Sequence, residues 1–295
     1  MRTRTMPPWL ILVLAAGVTF FRPARADNWP RFRGPNGTGI APDKDIPIKW
    51  GATDGILWKT PLPGAGYSSP VVWGDRVFVT VAPDVRERRL LCLDATGGRV
   101  LWSASLPGAA AKKHPKNSLA SSTPATDGER VYAVFWDGVG LAVHAYDFQG
   151  KQQWRHDLGS FAGGTTGAAT SPVVYDGLVY LNHDQDKFLD DQERQSGFPG
   201  RTAQVVALDA RTGKLAWRAP RATFQCSYST PFLYHNPDGS AELIVASSAG
   251  LSGYDPKAGD ERWKWVWSFR REPRRTVAAA HSDRRQGVRR LRRPF

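Results

Sequence analysis

The sequence predicts an all-β fold of the β-propeller class, and three observations lead to that prediction. The 295 residues include 12 Trp and 29 Gly but only 2 Met, a composition typical of short strands joined by tight turns. One sequence pattern recurs four times, and each copy closes with a Trp. Units of about 40–50 residues are typical of propeller blades. A β-sandwich also has short strands, but it does not repeat one pattern in this way.

Each repeat unit has the same order of elements. The third unit begins at Ser171-Pro172, passes through Asp176-Gly177 and an apolar run, and closes with Asp209, Gly213 and Trp217. The Asp-Gly pair can supply the positive φ of a hairpin turn, and the later Asp can accept hydrogen bonds from backbone amides of its own turn. The closing Trp can pack between adjacent blades and donate its indole N–H to a backbone carbonyl.

The closing Trp residues and their turns are predicted to be structural docking residues. Successive closing Trp residues are 44 to 63 residues apart, so the longer units are expected to carry loop insertions. The first closing Trp ends a leading half-unit. The predicted docking residues are Trp58, Asp94, Gly97, Trp102, Asp147, Gly150, Trp154, Asp209, Gly213, Trp217, Asp255, Gly259 and Trp263. No catalytic or cofactor-binding residue is predicted.

The third closing segment carries a family resemblance. Residues 207–217 read A-x-D-x-x-T-G-K-x-x-W, which resembles the tryptophan-docking motif of the dehydrogenases that depend on pyrroloquinoline quinone (PQQ) and of PQQ-like repeat proteins. Residues 29–37 resemble the opening of exported PQQ-like propellers of planctomycete-type bacteria. The resemblance covers about residues 27–264. It implies a ring that usually has about seven or eight blades, of which this chain contains about four to five.

The N-terminus predicts an export signal. Arg2 and Arg4 precede an apolar run over residues 9–21, and Ala24-Arg25-Ala26 forms a cleavage pattern before Asp27. The apolar run is shorter than the roughly 20 residues that a membrane span needs. We therefore expect cleavage of residues 1–26, a mature protein without an integral membrane segment, and a location in the periplasm or cell envelope. No Cys follows the signal, so no lipid anchor is predicted.

The C-terminus does not fit the repeat. Residues 270–295 contain ten Arg and no strand-like alternation. One interpretation is a basic tail that binds acidic partners. The preferred hypothesis is a reading-frame error, because a one-base shift of a plausible coding sequence permits the start of another blade. The propeller segment then spans residues 27–269, and the chain is a truncated form.

The net charge of +13 does not indicate a nucleic-acid-binding protein. Residues 1–26 contribute +4 and residues 270–295 contribute +8, which leaves +1 for residues 27–269. A site for a phosphate backbone is expected to form a basic patch on the folded domain itself. We therefore expect no nucleic-acid partner.

Two groups of residues are considered for metal or redox chemistry. Asp184 and Asp186 are candidate calcium ligands, because they lie in a polar stretch rich in the oxygen atoms that calcium prefers. The alternative is a solvated loop between strands. Cys92 and Cys226 are expected to be buried as small apolar residues, although a disulfide between them is possible in an oxidising compartment.

The resemblance implies two functions. One is a binding or assembly scaffold, similar to the outer-membrane assembly lipoprotein with the same repeats. In that case we expect this chain to bind a protein partner or small ligand on its propeller face. The other is a PQQ- and calcium-dependent alcohol or sugar dehydrogenase, a class with PQQ in the propeller axis, a catalytic Asp and usually two adjacent cysteines. This sequence has no adjacent cysteines and no recognisable set of calcium ligands. It therefore favours a scaffold without a cofactor over an enzyme.

Overall fold

The computed structural model of the chain describes residues 27–35, 37–43, 46–163, 167–187, 190–197 and 200–266. Sixteen strands of these residues form four antiparallel sheets, and each sheet contains four strands in sequential order. This arrangement confirms the predicted all-β propeller class. The predicted export signal and the Arg-rich tail lie outside the described residues. No helix in the described part of the chain is long and apolar enough to cross a membrane.

Blades 1 and 2 are regular four-stranded meanders. Blade 1 consists of β1 (Val71–Trp73), β2 (Arg76–Asp84), β3 (Glu87–Asp94) and β4 (Val100–Pro107). Blade 2 consists of β5 (Ala125–Thr126), β6 (Arg130–Trp136), β7 (Gly140–Asp147) and β8 (Gln152–Ser160).

Blades 3 and 4 repeat this order, and blade 3 carries an inserted helix. Blade 3 consists of β9 (Val173–Tyr175), β10 (Leu178–His183), α1 (Asp191–Gln195), β11 (Ala203–Asp209) and β12 (Leu215–Arg221). Blade 4 consists of β13 (Phe232–His235), β14 (Ala241–Ala246), β15 (Gly250–Tyr254) and β16 (Glu261–Val266).

The leading half-unit differs from the expectation. Residues 46–63 contain no strand, although Trp58 contacts blade 1. The N-terminal segment instead forms one isolated bridge, between Trp29 and Val72 in β1. The described residues therefore contain four complete blades and no strand of a fifth.

The hydrophobic core lies between adjacent blades. Phe78 and Cys92 of blade 1 pack with Val131 of blade 2, and a second cluster joins blade 2 to blade 3. A third cluster packs Tyr180 of blade 3 against Tyr254 of blade 4. A single blade cannot bury both of its faces alone, so each blade is stabilised by its neighbours.

The alternating strand direction gives the molecule two ends. In each blade, the turn between the first and second strands and the turn between the third and fourth strands lie at one end, which we call the turn end. The connections between second and third strands, and those between successive blades, lie at the other end, which we call the loop end. The longest connections are at the loop end: residues 108–124, 161–172, 184–202 and 222–231.

Candidate binding site

Docking contacts repeat at the turn end. The indole N–H of Trp154 in blade 2 donates to the carbonyl of Ala210 in blade 3 at 3.0 Å. The equivalent bonds join Trp58 to Ala95, Trp102 to Phe148 and Trp217 to Pro256, each at 2.9 Å. In every case the acceptor is the residue that follows the Asp of the next unit. These bonds therefore connect blade 1 to blade 2, blade 2 to blade 3 and blade 3 to blade 4, and Trp58 connects the preceding segment to blade 1.

The glycine of each docking turn lies against the indole ring. Gly213 has a φ of +70°, and a Cβ atom there would lie 2.6 Å from Trp154. The same position in the first unit is Gly98, where a Cβ atom would lie 2.3 Å from Trp58. The predicted Gly97 is therefore corrected to Gly98. Two adjacent glycines occur in that turn, and only the one four residues after Asp94 approaches the ring.

The Asp of each docking turn organises its own loop. Asp209 accepts bonds from the backbone N–H and the hydroxyl of Thr212 at 2.7 and 2.6 Å. The side-chain bond from Thr212, followed by the backbone bond, lowers the pKa of Asp209 below its usual value. The equivalent aspartates Asp94, Asp147 and Asp255 likewise accept backbone bonds within their own turns.

Trp263 departs from the pattern of the other docking residues. It is 37% exposed, whereas Trp154 and Trp217 are each 8% exposed. Its indole N–H donates to a carboxylate oxygen of Glu242 in the same blade, at 2.9 Å.

The Ser-Pro and Thr-Pro pairs place a series of hydroxyl groups around the propeller axis. Each pair immediately precedes the first strand of its blade, and the first strand of blade 2 contacts the first strands of blades 1 and 3. The backbone N–H of Ser69 donates to Oγ1 of Thr123 at 2.9 Å. The backbone N–H of Thr123 donates in turn to Oγ of Ser171 at 3.0 Å. Each Ser-Pro or Thr-Pro pair therefore lies at the entry to the first strand of a blade.

A cavity of about 500 Å³ lies beside these hydroxyl groups, at the loop end. We call it the axial cavity. Three inter-blade connections and the N-terminal segment form its wall. The lining residues are Phe32, Tyr67, His114, Lys116, Asn117, Ser121, Thr123, Ala169, Ser171, Tyr228 and Thr230. None of the predicted docking or metal residues belongs to this wall.

The N-terminal segment closes one side of the axial cavity. The backbone of Trp29 exchanges hydrogen bonds with Val72 at 2.8 and 2.9 Å, and the carbonyl of Pro30 accepts from Thr126 at 2.9 Å. These contacts fix the segment to the first strands of blades 1 and 2. They bring the ring of Phe32 to the cavity wall.

Arg31 extends this segment to blade 4. Its guanidinium group donates to the carbonyls of Pro35 and Pro231, and the residue is 6% exposed. Burial lowers the pKa of Arg31 to about 10. The side chain therefore links the N-terminal segment to the strand that begins blade 4.

The wall of the axial cavity is rich in hydrogen-bond donors. The oxygens of Thr123 and Ser171 already accept backbone bonds, so their hydroxyl hydrogens are free to donate to a bound group. Lys116 adds an ammonium group, and the lining residues include no Asp or Glu. Aromatic rings supply the apolar part of the wall. The cavity therefore suits a ligand group that combines a carboxylate or other acceptor with an apolar body.

Asp184 and Asp186 are buried and bonded to protein groups. The carboxylate of Asp184 accepts two bonds from the guanidinium of Arg221, at 2.8 and 2.5 Å, and both side chains are almost inaccessible. Asp186 accepts the backbone N–H of Cys226 at 2.7 Å. The interpretation of this stretch as a solvated loop is wrong for both residues. Asp184 ties the β10–β11 connection to the end of β12, and Asp186 ties it to the β12–β13 connection.

Asp184 and Asp186 do not belong to a larger cluster of metal-binding side chains in the described part of the chain. No group of three or more His, Cys, Asp or Glu side chains converges there. Cys92 and Cys226 are both fully buried, which confirms the predicted burial, and they form no disulfide with each other. Burial raises the pKa of the Cys92 thiol to about 12, so this thiol is unsuited to nucleophilic chemistry at neutral pH.

Sequence reasoning missed most of the axial cavity. Phe32 comes from the N-terminal segment, whereas His114 and Tyr228 come from inter-blade connections that differ in length and sequence. None of these residues belongs to the repeated pattern. One signal could have located the site. The recurring Ser or Thr before Pro marks the start of each first strand, and these starts converge on the axis.

The fold, the docking contacts and the axial cavity together define a propeller of tryptophan-docked PQQ-like repeats. A profile of the family described as outer membrane protein assembly factor BamB matches residues 50–143 and 86–287. The chain therefore belongs to this PQQ-like repeat family.

The chain is also similar to a curated protein and to several solved structures. A polyvinylalcohol dehydrogenase from a Pseudomonas species is 29% identical over 167 residues, which are 55% of this chain and 24% of that protein. The quinohemoprotein alcohol dehydrogenase of Comamonas testosteroni has a similar fold, with 15% identity and a TM-score of 0.51 over 82% of this chain and 41% of that one. BamB from Moraxella catarrhalis is 18% identical, with a TM-score of 0.46 over 72% and 55%. The chain thus spans between a quarter and about half of these relatives.

Proposed function

We propose that this chain is an exported binding scaffold whose axial cavity receives a carboxylate-bearing segment of a protein partner in the periplasm or cell envelope. The observation that carries the proposal is the donor-rich, partly aromatic wall of that cavity, without Asp or Glu among its lining residues. A role in assembly agrees with the description of the family. Neither a cofactor nor a nucleic-acid partner forms part of this proposal.

The expected ligand group follows from the wall. Hydrogen bonds between charged and neutral groups are the stronger ones, so Lys116 and the hydroxyls of Thr123 and Ser171 favour a carboxylate over a neutral amide. The rings of Phe32 and Tyr228 favour an apolar or aromatic side chain beside it. A peptide that ends in Phe with a free carboxylate presents both groups.

Isothermal titration with two synthetic tetrapeptides tests this proposal. Both end in Phe, one as the free acid and the other as the C-terminal amide. We expect the acid to bind roughly tenfold more tightly, because a charge-assisted bond contributes about 1.5–3 kcal/mol. Lys116→Gln should weaken binding of the free-acid peptide only. Lys214→Gln, an exposed substitution at the turn end, should change the affinity for neither peptide. Equal affinities, or no binding of either peptide, would overturn the proposal.

A quinoprotein dehydrogenase is the second candidate, and the 29% identity to polyvinylalcohol dehydrogenase favours it. The described residues do not fit the calcium ion of that class, because Asp184 is engaged by Arg221 and no carboxylate lines the axial cavity. We therefore assign no catalytic step to this chain. Dye reduction with polyvinyl alcohol or ethanol, in the presence of PQQ and calcium chloride, separates the candidates. Dehydrogenase activity that requires both PQQ and calcium chloride would support the enzyme and contradict the scaffold proposal.

A further inference from the structure

A small cavity between blades 2 and 3 contains three buried polar atoms without a protein partner. Its volume is about 10 Å³, close to the lower limit of about 10–15 Å³ for a site that holds one water molecule. Oγ of Ser122, Oγ1 of Thr170 and Nε1 of Trp136 belong to residues that line it, and none of these atoms has a hydrogen-bond partner. All three residues are at least nine-tenths buried.

The repeat explains why the cavity lies at this blade boundary. The second strands of blades 1, 2 and 3 align through their pairing with the first strands, so that Thr80, Val134 and Asn182 occupy equivalent positions. Thr80 donates its hydroxyl to the carbonyl of Ser122 at 3.0 Å. Asn182 donates its amide to the carbonyl of Ser229 at 2.7 Å. Each bond joins a blade to the residue that precedes the strand start of the next blade.

Blade 2 lacks this donor. Val134 occupies the equivalent position, opposite Thr170, and Val134 also lines the small cavity. An isopropyl group cannot form the bond that Thr80 and Asn182 form in the neighbouring blades. The polar atoms of Ser122, Thr170 and Trp136 are left unpaired around it. Leaving such buried groups unpaired is destabilising, because each group loses its hydrogen bonds to water when the chain folds.

We propose that one ordered water molecule binds in this cavity and replaces the missing side-chain bond between blades 2 and 3. An indole N–H can only donate, whereas hydroxyl groups both donate and accept. A single water molecule accepts from Trp136 and bonds both hydroxyls, which gives the two to four partners that buried water requires. The site lies directly behind the axial cavity, because Ser121 and Ala169 line both spaces.

A crystal structure of the full chain at about 1.8 Å resolution or better tests the site directly. We expect electron density for one water molecule within hydrogen-bond distance of Nε1 of Trp136 and of at least one hydroxyl. Absence of that density in a well-ordered map, or direct bonds between the three protein groups, would overturn the proposal.

A pair of Val→Thr variants tests the same site in solution. Val134→Thr adds a hydroxyl beside the water and the carbonyl of Thr170, so we expect the Tm to stay within about 1 °C of wild type. Val131→Thr, on the opposite face of the same strand, adds a hydroxyl inside a fully buried apolar cluster. We expect this control to lose several degrees, because the new hydroxyl has no partner. Equal losses in the two variants would show that the position of Val134 is dry and would contradict the proposal.

Discussion

The turn end of this propeller has the same contact in successive blades, whereas the loop end of the same strands differs from blade to blade. At the turn end, four docking Trp residues make one contact in the same geometry. At the loop end, the three connections between blades have different lengths and sequences, and together they form the axial cavity. The repeated end therefore specifies how blades assemble. The variable end supplies the surface on which binding can be selective.

The largest expected effect tests the turn end. Trp154→Ala removes the indole ring that lies between blades 2 and 3, together with its bond to Ala210. We expect a loss of about 3–5 kcal/mol in the free energy of unfolding, measured by urea denaturation. Trp50→Ala is the matched control, because Trp50 is 68% exposed, and it should cost little. Similar losses in both variants would mean that docking does not hold the blades together.

The next largest effect tests how much the buried ion pair at the loop end contributes to stability, compared with the docking Trp at the turn end. Arg221→Met leaves the buried carboxylate of Asp184 without its charged partner, which we expect to cost about 3–4 kcal/mol. Adding Asp184→Asn should restore most of the stability, because the isolated charge is then removed. A double variant that is less stable than Arg221→Met would show that the two carboxylate bonds are not the cause.

The third prediction concerns the core that both ends share. Burial lowers the pKa of His144 from 6.5 to about 4 in the folded chain, so the folded state binds this proton less readily than the unfolded state. The free energy of unfolding is therefore highest above about pH 6.5. We expect it to decrease by about 2–3 kcal/mol as the pH falls towards 4, because the unfolded state binds the proton first. Urea unfolding between pH 7 and pH 4 measures the slope.

The matched variants for this slope are His144→Phe and His235→Gln. His144→Phe should flatten the pH dependence, although the lowered pKa of His183 leaves part of it. His235 is exposed, so its substitution should leave the slope unchanged. A slope that His144→Phe does not alter would assign the pH dependence to other groups.

The smallest effect tests the exception to the docking pattern. Trp263→Phe should cost less than about 1 kcal/mol, because the ring is 37% exposed and bonds only within its own blade. Trp217→Phe should cost more, since that indole is 8% exposed and joins blade 3 to blade 4. If the two variants are equal under the same denaturation conditions, the exposure of Trp263 is not the deciding factor.

Most of the fold and of the docking contacts could be predicted from the sequence because they depend on a local pattern. Asp209, Gly213 and Trp217 lie within nine residues, and each has a physical reason to occupy its position. The assignment of Gly97 missed by one residue, because a Gly-Gly pair does not show which member has the positive φ. In the structure that residue is Gly98, with a φ of +69°.

The axial cavity could not be predicted in the same way because its wall depends on contacts between distant segments. Phe32 reaches it only because Trp29 and Arg31 bind blades 1 and 4. The burial of Asp184 was missed for a similar reason. Its partner Arg221 is 37 residues away, and no local pattern connects the two side chains.

The docking contact has a consequence for how such a protein can change in length. Blades 1, 2 and 3 each carry the indole that docks on the next blade, and blades 2, 3 and 4 each carry the turn that receives it. An in-frame duplication of one unit would therefore bring both halves of a new contact at once, without any substitution elsewhere. Duplication of a unit therefore requires no new type of side-chain contact at the turn end. The loop end would be free to diversify afterwards, one connection at a time.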